Sequence, residues 1–115
     1  MFEAQVIADP GDGTSVYSPW FPRQGDVALF TLEIGAVSSV TLTVEVATKN
    51  TEDPGDGTLV GGSISRGTVG RSATTWGPTD LEELVRFKFT AVGDGVGDWV
   101  LFRMLPAVWF DSLKV

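Results

Sequence analysis

Apolar and polar residues alternate along three segments of the chain, at residues 28–34, 40–46 and 85–91. In each segment every second residue is Ala, Val, Leu, Ile or Phe, and most of the residues between them are Thr, Glu, Arg or Lys. A period of two places the apolar side chains on one face of an extended strand. The pattern therefore predicts three antiparallel strands, each with one buried and one solvent-facing side.

Strands with weaker alternation bring the predicted total to seven or eight in 115 residues. Short strands in that number, separated by turn sequences rich in Gly and Pro, are typical of two packed sheets. We therefore predict an all-β fold: an antiparallel β-sandwich, immunoglobulin-like or jelly-roll-like, formed by one domain over residues 1–115. The stretch at residues 78–84 is long enough for at most one short helical turn. The weaker strands are residues 2–8, 58–65, 68–76 and 98–105.

The segment 98–105 differs from the other predicted strands because apolar residues occupy both of its faces. A strand of this kind is buried on both sides, centrally placed, or part of an interface. The two sets are Trp99, Leu101 and Leu105 on one face and Val100, Phe102 and Met104 on the other.

Basic residues also lie on or beside the predicted strands. Arg86, Lys88 and Arg103 are placed to converge on one sheet face, and acidic residues such as Glu33 and Glu45 are available opposite them. We expect cross-strand ion pairs, which contribute roughly a few tenths of a kcal/mol each when exposed.

The hexapeptide Asp-Pro-Gly-Asp-Gly-Thr occurs twice, at residues 9–14 and 53–58. Pro at the first corner, Gly at a positive φ and Asp bonded to its own backbone are what tight turns require, so we expect two turns. The alternative is a calcium site, because closely spaced carboxylate oxygens suit that ion. Neither copy has the spacing of the known calcium loop, and no metal is predicted. The oxygen donors of the alternative are Asp9, Asp12, Asp53 and Asp56.

Two segments place large aromatic residues outside the predicted core strands: residues 17–25, and the hydrophobic C-terminal tail at residues 106–115. Proline disfavours a central strand in the first segment, so we expect an edge strand or a loop there. Aromatic side chains in such places either close the end of their own domain or bind a partner. An apolar tail either docks on its own domain as another strand or is buried in a neighbour. The predicted partner-binding residues are Trp20, Phe21, Trp109, Phe110 and Leu113.

Composition narrows the classes of function. The chain has no His and no Cys, which excludes catalysis by Ser-His-Asp or Cys-His groups. A net charge of −7 disfavours nucleic acid, because the phosphate backbone is repelled. No apolar run is long enough to span a membrane, and the first residues do not form a signal peptide. We therefore expect a protein that is not an enzyme, needs no cofactor, and binds no nucleic acid, membrane or small-molecule substrate.

Residues 44–53, 83–87 and 99–109 together resemble small auxiliary head proteins of tailed bacteriophages, which decorate or cement the capsid. The resemblance implies a virion structural protein on the capsid exterior that binds the major capsid protein and copies of itself, for example as a trimer. Met1 looks like a native start, so we expect a complete small gene product made in a cytoplasm, which for a virion protein is that of the host. Residues 81–91 separately resemble the late strand of immunoglobulin-like and fibronectin type III sandwiches, without the Tyr usual there.

Two other functions remain open from the sequence. One is binding of carbohydrate or of a cell surface, assisted by calcium, with Trp20 or Trp76 as the aromatic platform. The other is an enzyme that uses carboxylates alone, which requires a deep pocket holding two acids close together.

Overall fold

Ten β-strands and no helix make up the part of the chain that the computed structural model describes, residues 4–93 and 96–111. The strands are β1 (Gln5–Ala8), β2 (Thr14–Tyr17), β3 (Phe21–Pro22), β4 (Val27–Ser38), β5 (Val40–Lys49), β6 (Thr58–Arg66), β7 (Gly70–Trp76), β8 (Leu84–Gly93), β9 (Trp99–Met104) and β10 (Val108–Phe110). The three strongly alternating segments are confirmed as β4, β5 and β8; β4 and β8 extend beyond both predicted ends, and β5 extends beyond its C-terminal end.

The stretch at residues 78–84 contains no helical turn. Its backbone groups are bonded elsewhere: the N–H of Gly77 donates to the Asp80 carboxylate at 2.9 Å, and that of Glu82 donates to the Thr48 hydroxyl at 2.7 Å. The Leu81 side chain is buried in the core. The local bond to the Asp80 side chain and the tertiary bond to Thr48 take the place of the backbone hydrogen bonds that a turn of helix would form.

The strands form two antiparallel sheets that pack face to face. In the first, called sheet I, β9 and β10 pair with successive parts of one edge of β4, β7 pairs with its opposite edge, and β1 pairs with β9. In the second, called sheet II, β2 and β3 pair with successive parts of one edge of β8, and β5 pairs with its opposite edge. The outer strand β6 pairs with β5.

Proline explains why there are ten strands rather than the predicted seven or eight. β2 and β3 continue one line along β8 and are separated by a segment that contains Pro19, and β9 and β10 continue one line along β4 and are separated by a segment that contains Pro106. Because proline has no N–H to donate, the ladder is interrupted at these segments. Each interrupted pair fills one strand position, so the sandwich has eight positions.

The eight positions are connected as in a jelly roll. In chain order, positions 1, 8, 3 and 6 lie side by side in sheet I, and positions 2, 7, 4 and 5 lie side by side in sheet II. An immunoglobulin-like sandwich places its first two strands in the same sheet, whereas here β1 and β2 lie in opposite sheets. Of the two predicted types, the connectivity is therefore jelly-roll-like.

The core fills the space between the sheets with the alternate side chains that the sequence pattern predicts. Phe30, Phe87, Phe89 and Phe102 form a continuous series of ring contacts, with centroid separations of 4.8, 5.9 and 4.9 Å. Aromatic pairs at these distances contribute about 0.5–1.5 kcal/mol beyond the area they bury. This series ties sheet I to sheet II along the length of the sandwich.

Both copies of the hexapeptide form turns, as predicted. Their glycines Gly11, Gly13, Gly55 and Gly57 have φ angles of 56, 151, 87 and 73°, a region that L-residues with a Cβ rarely adopt. The first copy carries the chain from β1 in sheet I to β2 in sheet II, and the second joins β5 to β6 within sheet II. The same six residues therefore serve two different connections.

Candidate protein-binding surfaces

Three of the predicted contact residues line one groove. Trp20, Phe21 and Trp109 meet where the segment between β2 and β3 approaches the segment between β9 and β10, beside a depression of about 540 Å³. The residues that define this groove are Pro19, Trp20, Phe21, Pro106, Ala107 and Trp109.

Phe21 and Trp109 are held in place by the core beneath the groove. The Phe21 ring lies 5.3 Å from Phe87 and 6.2 Å from Phe30, and the Trp109 ring lies 5.8 Å from Phe30. Both side chains are half-buried. They close the core and expose only one part of each ring. Phe21 and Trp109 therefore close the end of the domain and also present ring surface that a partner could contact.

Trp20 is positioned by cations on the outer face of sheet II. The Cζ atom of Arg86 lies 4.6 Å from the indole centroid, and the Nζ atom of Lys49 lies 4.9 Å from it. A Cβ added to Gly57 would lie 2.9 Å from the indole Cη2, so the ring packs directly on that turn. Trp20 thus rests on sheet II and borders the groove with its remaining edge.

The outer face of sheet I is a second candidate surface, and β9 is its clearest element. Val100, Phe102 and Met104 are fully buried, whereas Trp99 is 38 % exposed and Leu101 is half-buried. The two-sided pattern in the sequence therefore corresponds to one face in the core and one face on the molecular surface. β9 lies between β1 and β4, so the predicted central placement is confirmed. None of the residues that the structure describes covers its second face, which stays open to an interface.

β10 and β1 extend this surface. Trp109 points into the core, and its neighbours Val108 and Phe110 point outward with 53 % and 46 % of their area exposed. Val6 on β1 is 62 % exposed and pairs with Leu101. The tail is thus docked as a strand over residues 108–110, as one of the two predictions stated, and it still presents apolar groups to the outside. Leu113 lies outside the described residues.

We call this surface the apolar face. The side chains that form it are Val6, Leu29, Trp99, Leu101, Val108 and Phe110.

A row of charges crosses the apolar face. Glu33 on β4 accepts hydrogen bonds from Arg71 Nε at 2.7 Å and from Arg103 Nε at 2.8 Å, one on each neighbouring strand. These two bonds to arginine lower the pKa of the Glu33 carboxyl below its ordinary value. Because two cations share one anion, the row carries a net positive charge on a chain whose total charge is −7.

The basic residues do not converge on one face, contrary to the prediction. Arg86 and Lys88 lie on the outer face of sheet II, and Arg103 lies on the outer face of sheet I. The reason is topological, since β8 and β9 belong to different sheets although they are consecutive in the chain. The expected cross-strand pairing is confirmed for Arg103 with Glu33. Glu33 also pairs with Arg71, which was not among the predicted basic residues.

The carboxylates of the calcium alternative have other neighbours. Asp9 Oδ1 accepts a 2.6 Å bond from the Gly97 N–H, and Asp53 Oδ2 accepts a 3.1 Å bond from the Asn50 N–H. Asp56 lies 3.6 Å from Arg86, and Asp12 is exposed in the first turn. Across residues 4–93 and 96–111, no group of three or more Asp and Glu side chains is arranged to hold a metal ion.

Two further features bear on the alternatives from the sequence. Trp76 is 2 % exposed, so it does not offer a platform for a sugar. A depression of about 580 Å³ is lined by Glu82 and Glu83, together with Arg23 and others. There Glu83 Oε1 accepts a bond from the Thr51 N–H at 3.1 Å, and Arg23 Nη1 donates to the Leu81 carbonyl at 2.6 Å. The Glu83 carboxylate and the Arg23 guanidinium are therefore each hydrogen-bonded to a backbone group of a neighbouring segment.

Val6 is 62 % exposed on the apolar face, and it was not among the predicted contact residues. The signal for the apolar face was present in the two-sided pattern of β9. Phe110 was among the predicted contact residues, whereas Val6 could not be assigned, because only the pairing of β1 with β9 decides which of the β1 side chains face outward.

No protein-family model matches this chain, and no similar curated protein or solved structure was found. No helix in the described ranges is long and apolar enough to cross a membrane.

Proposed function

We propose that this protein is a non-enzymatic structural protein of a bacteriophage virion, which decorates or cements the capsid by binding subunits of the major capsid protein. The observation that carries the proposal is the apolar face, where Trp99, Val108 and Phe110 are exposed on the outside of a well-packed sandwich. These apolar groups lie in two parts on either side of the Arg71–Glu33–Arg103 row, and exposed apolar surface of this kind on a small protein marks a site of association. The bacteriophage assignment rests on the sequence resemblance, and a jelly roll is compatible with it, since viral capsid domains use that architecture.

The outer face of sheet I, which contains the apolar face and the charged row, has dimensions that suit a protein partner. β4 contains 12 residues, which at ~3.3 Å per residue gives this sheet face a length of about 40 Å, and strands ~4.8 Å apart give it a width of roughly 15 Å. The product is on the order of 600 Å², close to the ~800 Å² that each side of a standard interface buries. The adjoining groove at Trp20 and Trp109 supplies the remaining area.

The charged residues on the apolar face indicate which kind of partner surface it can bind. The row of Arg71, Glu33 and Arg103 divides the apolar face, and the two arginine side chains are 62 % and 45 % exposed. A partner that matches this surface has apolar groups on either side of one or more carboxylates. Stacking the same face of a second copy on it would bring two positive rows together, which is unfavourable. We therefore assign the face to the major capsid protein and not to self-association.

The protein would stabilise the capsid because its binding site is repeated over the shell. A capsid presents the same binding site many times, and a decorating protein that touches two neighbouring subunits links them. Even modest single contacts then add up, because the second contact forms at a high effective concentration. In this proposal the apolar face and the groove, which are joined at β10, engage adjacent subunits.

The test is a binding assay with capsids of the phage that encodes the protein, stripped of it and then mixed with purified variants. Val6→Thr combined with Val108→Thr removes two exposed methyl groups from the apolar face while keeping the shape and strand propensity of the side chains. We expect its affinity for capsids to fall about tenfold, which corresponds to ~1.4 kcal/mol. Val92→Thr is the matched control, because Val92 is 46 % exposed and lies on β8 in sheet II. It should bind as the wild type does.

Heads that carry the wild-type protein should also withstand a higher temperature than heads without it or with the double variant. The capsid assignment is wrong if the purified protein does not bind stripped heads, and the face is wrongly assigned if Val92→Thr weakens binding as much as the double change. Light scattering tests self-association. If the wild-type protein is an oligomer and the double variant is a monomer, the apolar face binds a second copy of the chain and not the capsid protein.

A further inference from the structure

The outer face of sheet II carries a second site, chemically unlike the apolar face. The guanidinium of Arg86 lies between two aromatic rings, with its Cζ 4.3 Å from the Tyr17 centroid and 4.6 Å from the Trp20 centroid. Two aromatic neighbours fix the plane of the guanidinium, because cation–π attraction is strongest when the charge lies over the ring. The Arg86 side chain is only 14 % exposed, so it is held in one orientation.

This arginine is poorly satisfied by the protein. A guanidinium has five N–H donors, yet among the described residues Arg86 makes two long polar contacts, both to Asp56, at 3.5 Å to the carbonyl oxygen and 3.6 Å to the carboxylate. Its Nε is buried and has no hydrogen-bond partner within the described ranges. Buried donors are normally paired. The Asp56 side chain is 92 % exposed, and an exposed ion pair of this length contributes little, so an incoming anion can replace it.

The surroundings are those of a polar recognition surface. Tyr17 is 48 % exposed and pairs across the strands with Lys88. Beside them a row of hydroxyl groups crosses the four strands of sheet II, with contacts of 3.3 Å between Ser15 and Thr90 and 3.3 Å between Thr43 and Ser65. An exposed phenol ring offers an apolar plane with a polar edge, and the hydroxyls donate and accept hydrogen bonds in turn.

We propose that this face binds an acidic glycan, a sugar chain that carries carboxylate groups. One carboxylate takes the place of Asp56 on the Arg86 guanidinium, where the fixed fork of N–H donors matches two oxygens. The C–H face of the sugar ring lies on Tyr17, and its hydroxyls bond along the row from Ser15 to Ser65. The site is on the opposite sheet from the apolar face, and it shares only Trp20 with the groove.

Isothermal titration of the purified protein with trigalacturonate, and with maltotriose as the neutral comparison, tests the proposal. We expect binding of the acidic sugar and at least tenfold weaker binding of the neutral one. Tyr17→Ala and Arg86→Gln should each weaken trigalacturonate binding tenfold or more. Val6→Thr, on the other sheet, should leave it unchanged.

Asp56→Asn separates a binding role of Arg86 from a purely structural one. Removing the competing carboxylate leaves the guanidinium unpaired, so trigalacturonate should bind about three- to tenfold more tightly. A structural role for Arg86 alone predicts no such gain. The proposal is overturned if neither sugar binds, if both bind equally well, or if Asp56→Asn weakens binding. Because capsid binding is measured on variants of the opposite face, failure of one proposal does not affect the outcome of the other.

Discussion

The indole Nε1 of Trp76 donates a 3.0 Å hydrogen bond to the carbonyl oxygen of Gly61. Trp76 ends the edge strand of sheet I, and Gly61 lies in the edge strand of sheet II, so this bond joins the two sheets along one side. A Cβ added to the neighbouring Gly62, whose φ is 96°, would lie 3.4 Å from the same nitrogen. The ring therefore approaches the opposite backbone at a place where a side chain would crowd it.

Trp76→Phe is expected to lower the free energy of unfolding by about 1–3 kcal/mol, because it removes the bond to Gly61 and leaves buried space unfilled. Urea denaturation followed by circular dichroism measures the change. Trp99→Phe is the matched control, since Trp99 is 38 % exposed, and it should change the stability by less than ~0.5 kcal/mol. Equal effects of the two substitutions would show that the link at Gly61 contributes nothing.

Ser18 fixes the segment that leads to Trp20. Its hydroxyl accepts a 2.9 Å bond from the buried N–H of Phe87, and its own N–H donates to the Phe87 carbonyl at 3.0 Å. Ser18→Ala leaves the Phe87 N–H without an acceptor, which we expect to cost about 1–3 kcal/mol in the free energy of unfolding. Ser15→Ala, an exposed serine in β2, should stay within ~0.5 kcal/mol of the wild type. Thermal and urea unfolding of both variants compares them.

The second hexapeptide offers a pair of glycines with different surroundings. A Cβ on Gly57 would lie 2.6 Å from the Thr48 carbonyl oxygen, whereas one on Gly55 has nothing within 4 Å. Gly55→Ala should therefore cost only the backbone strain of its positive φ, about 1 kcal/mol. Gly57→Ala adds a collision with backbone and should cost roughly 1–3 kcal/mol more. The same two variants, followed by tryptophan fluorescence, should show a shifted emission from Trp20 for Gly57→Ala alone.

Glu33 gives the stability a specific pH dependence. Hydrogen bonds from Arg71 and Arg103 lower its pKa in the folded protein. A carboxyl with a lowered folded pKa contributes stability above its unfolded pKa, about 4.3 for Glu, and that contribution is lost as the pH falls through the folded value. The difference in free energy of unfolding between wild type and Glu33→Gln should therefore be constant near neutrality and shrink below about pH 4. Urea titrations at a series of pH values measure it, and a difference that grows on acidification contradicts the assignment.

Much of the fold follows from local pattern. Alternation in β4, β5 and β8 predicts which side chains enter the core, because neighbouring residues of a strand point to opposite sides whatever the topology. The turn prediction for the two hexapeptides succeeds for a similar reason, since the conformational freedom of Gly and the fixed φ of Pro are properties of the residues themselves. For the candidate surfaces, the sequence predicts that four aromatic residues lie near the surface: Trp20, Phe21, Trp109 and Phe110. The apolar residues on both faces of β9 also indicate an interface as one of the alternatives.

The strand order decides everything that depends on which residues become neighbours. Two identical hexapeptides form a crossover between sheets in one place and a hairpin in the other, because their different flanking strands find different partners. Trp76 ends β7 and Trp99 begins β9, and the neighbouring residues in the sequence do not indicate which of the two is buried. Pairing places one against the opposite sheet edge and the other on the apolar face. The sequence by itself determines the period of the strands and the places where the chain turns, since these depend on backbone geometry within a few residues. Only the tertiary structure determines the jelly-roll order, the two outer faces and the position of Arg86 between its aromatic neighbours, since each of these depends on contacts between residues far apart in the chain.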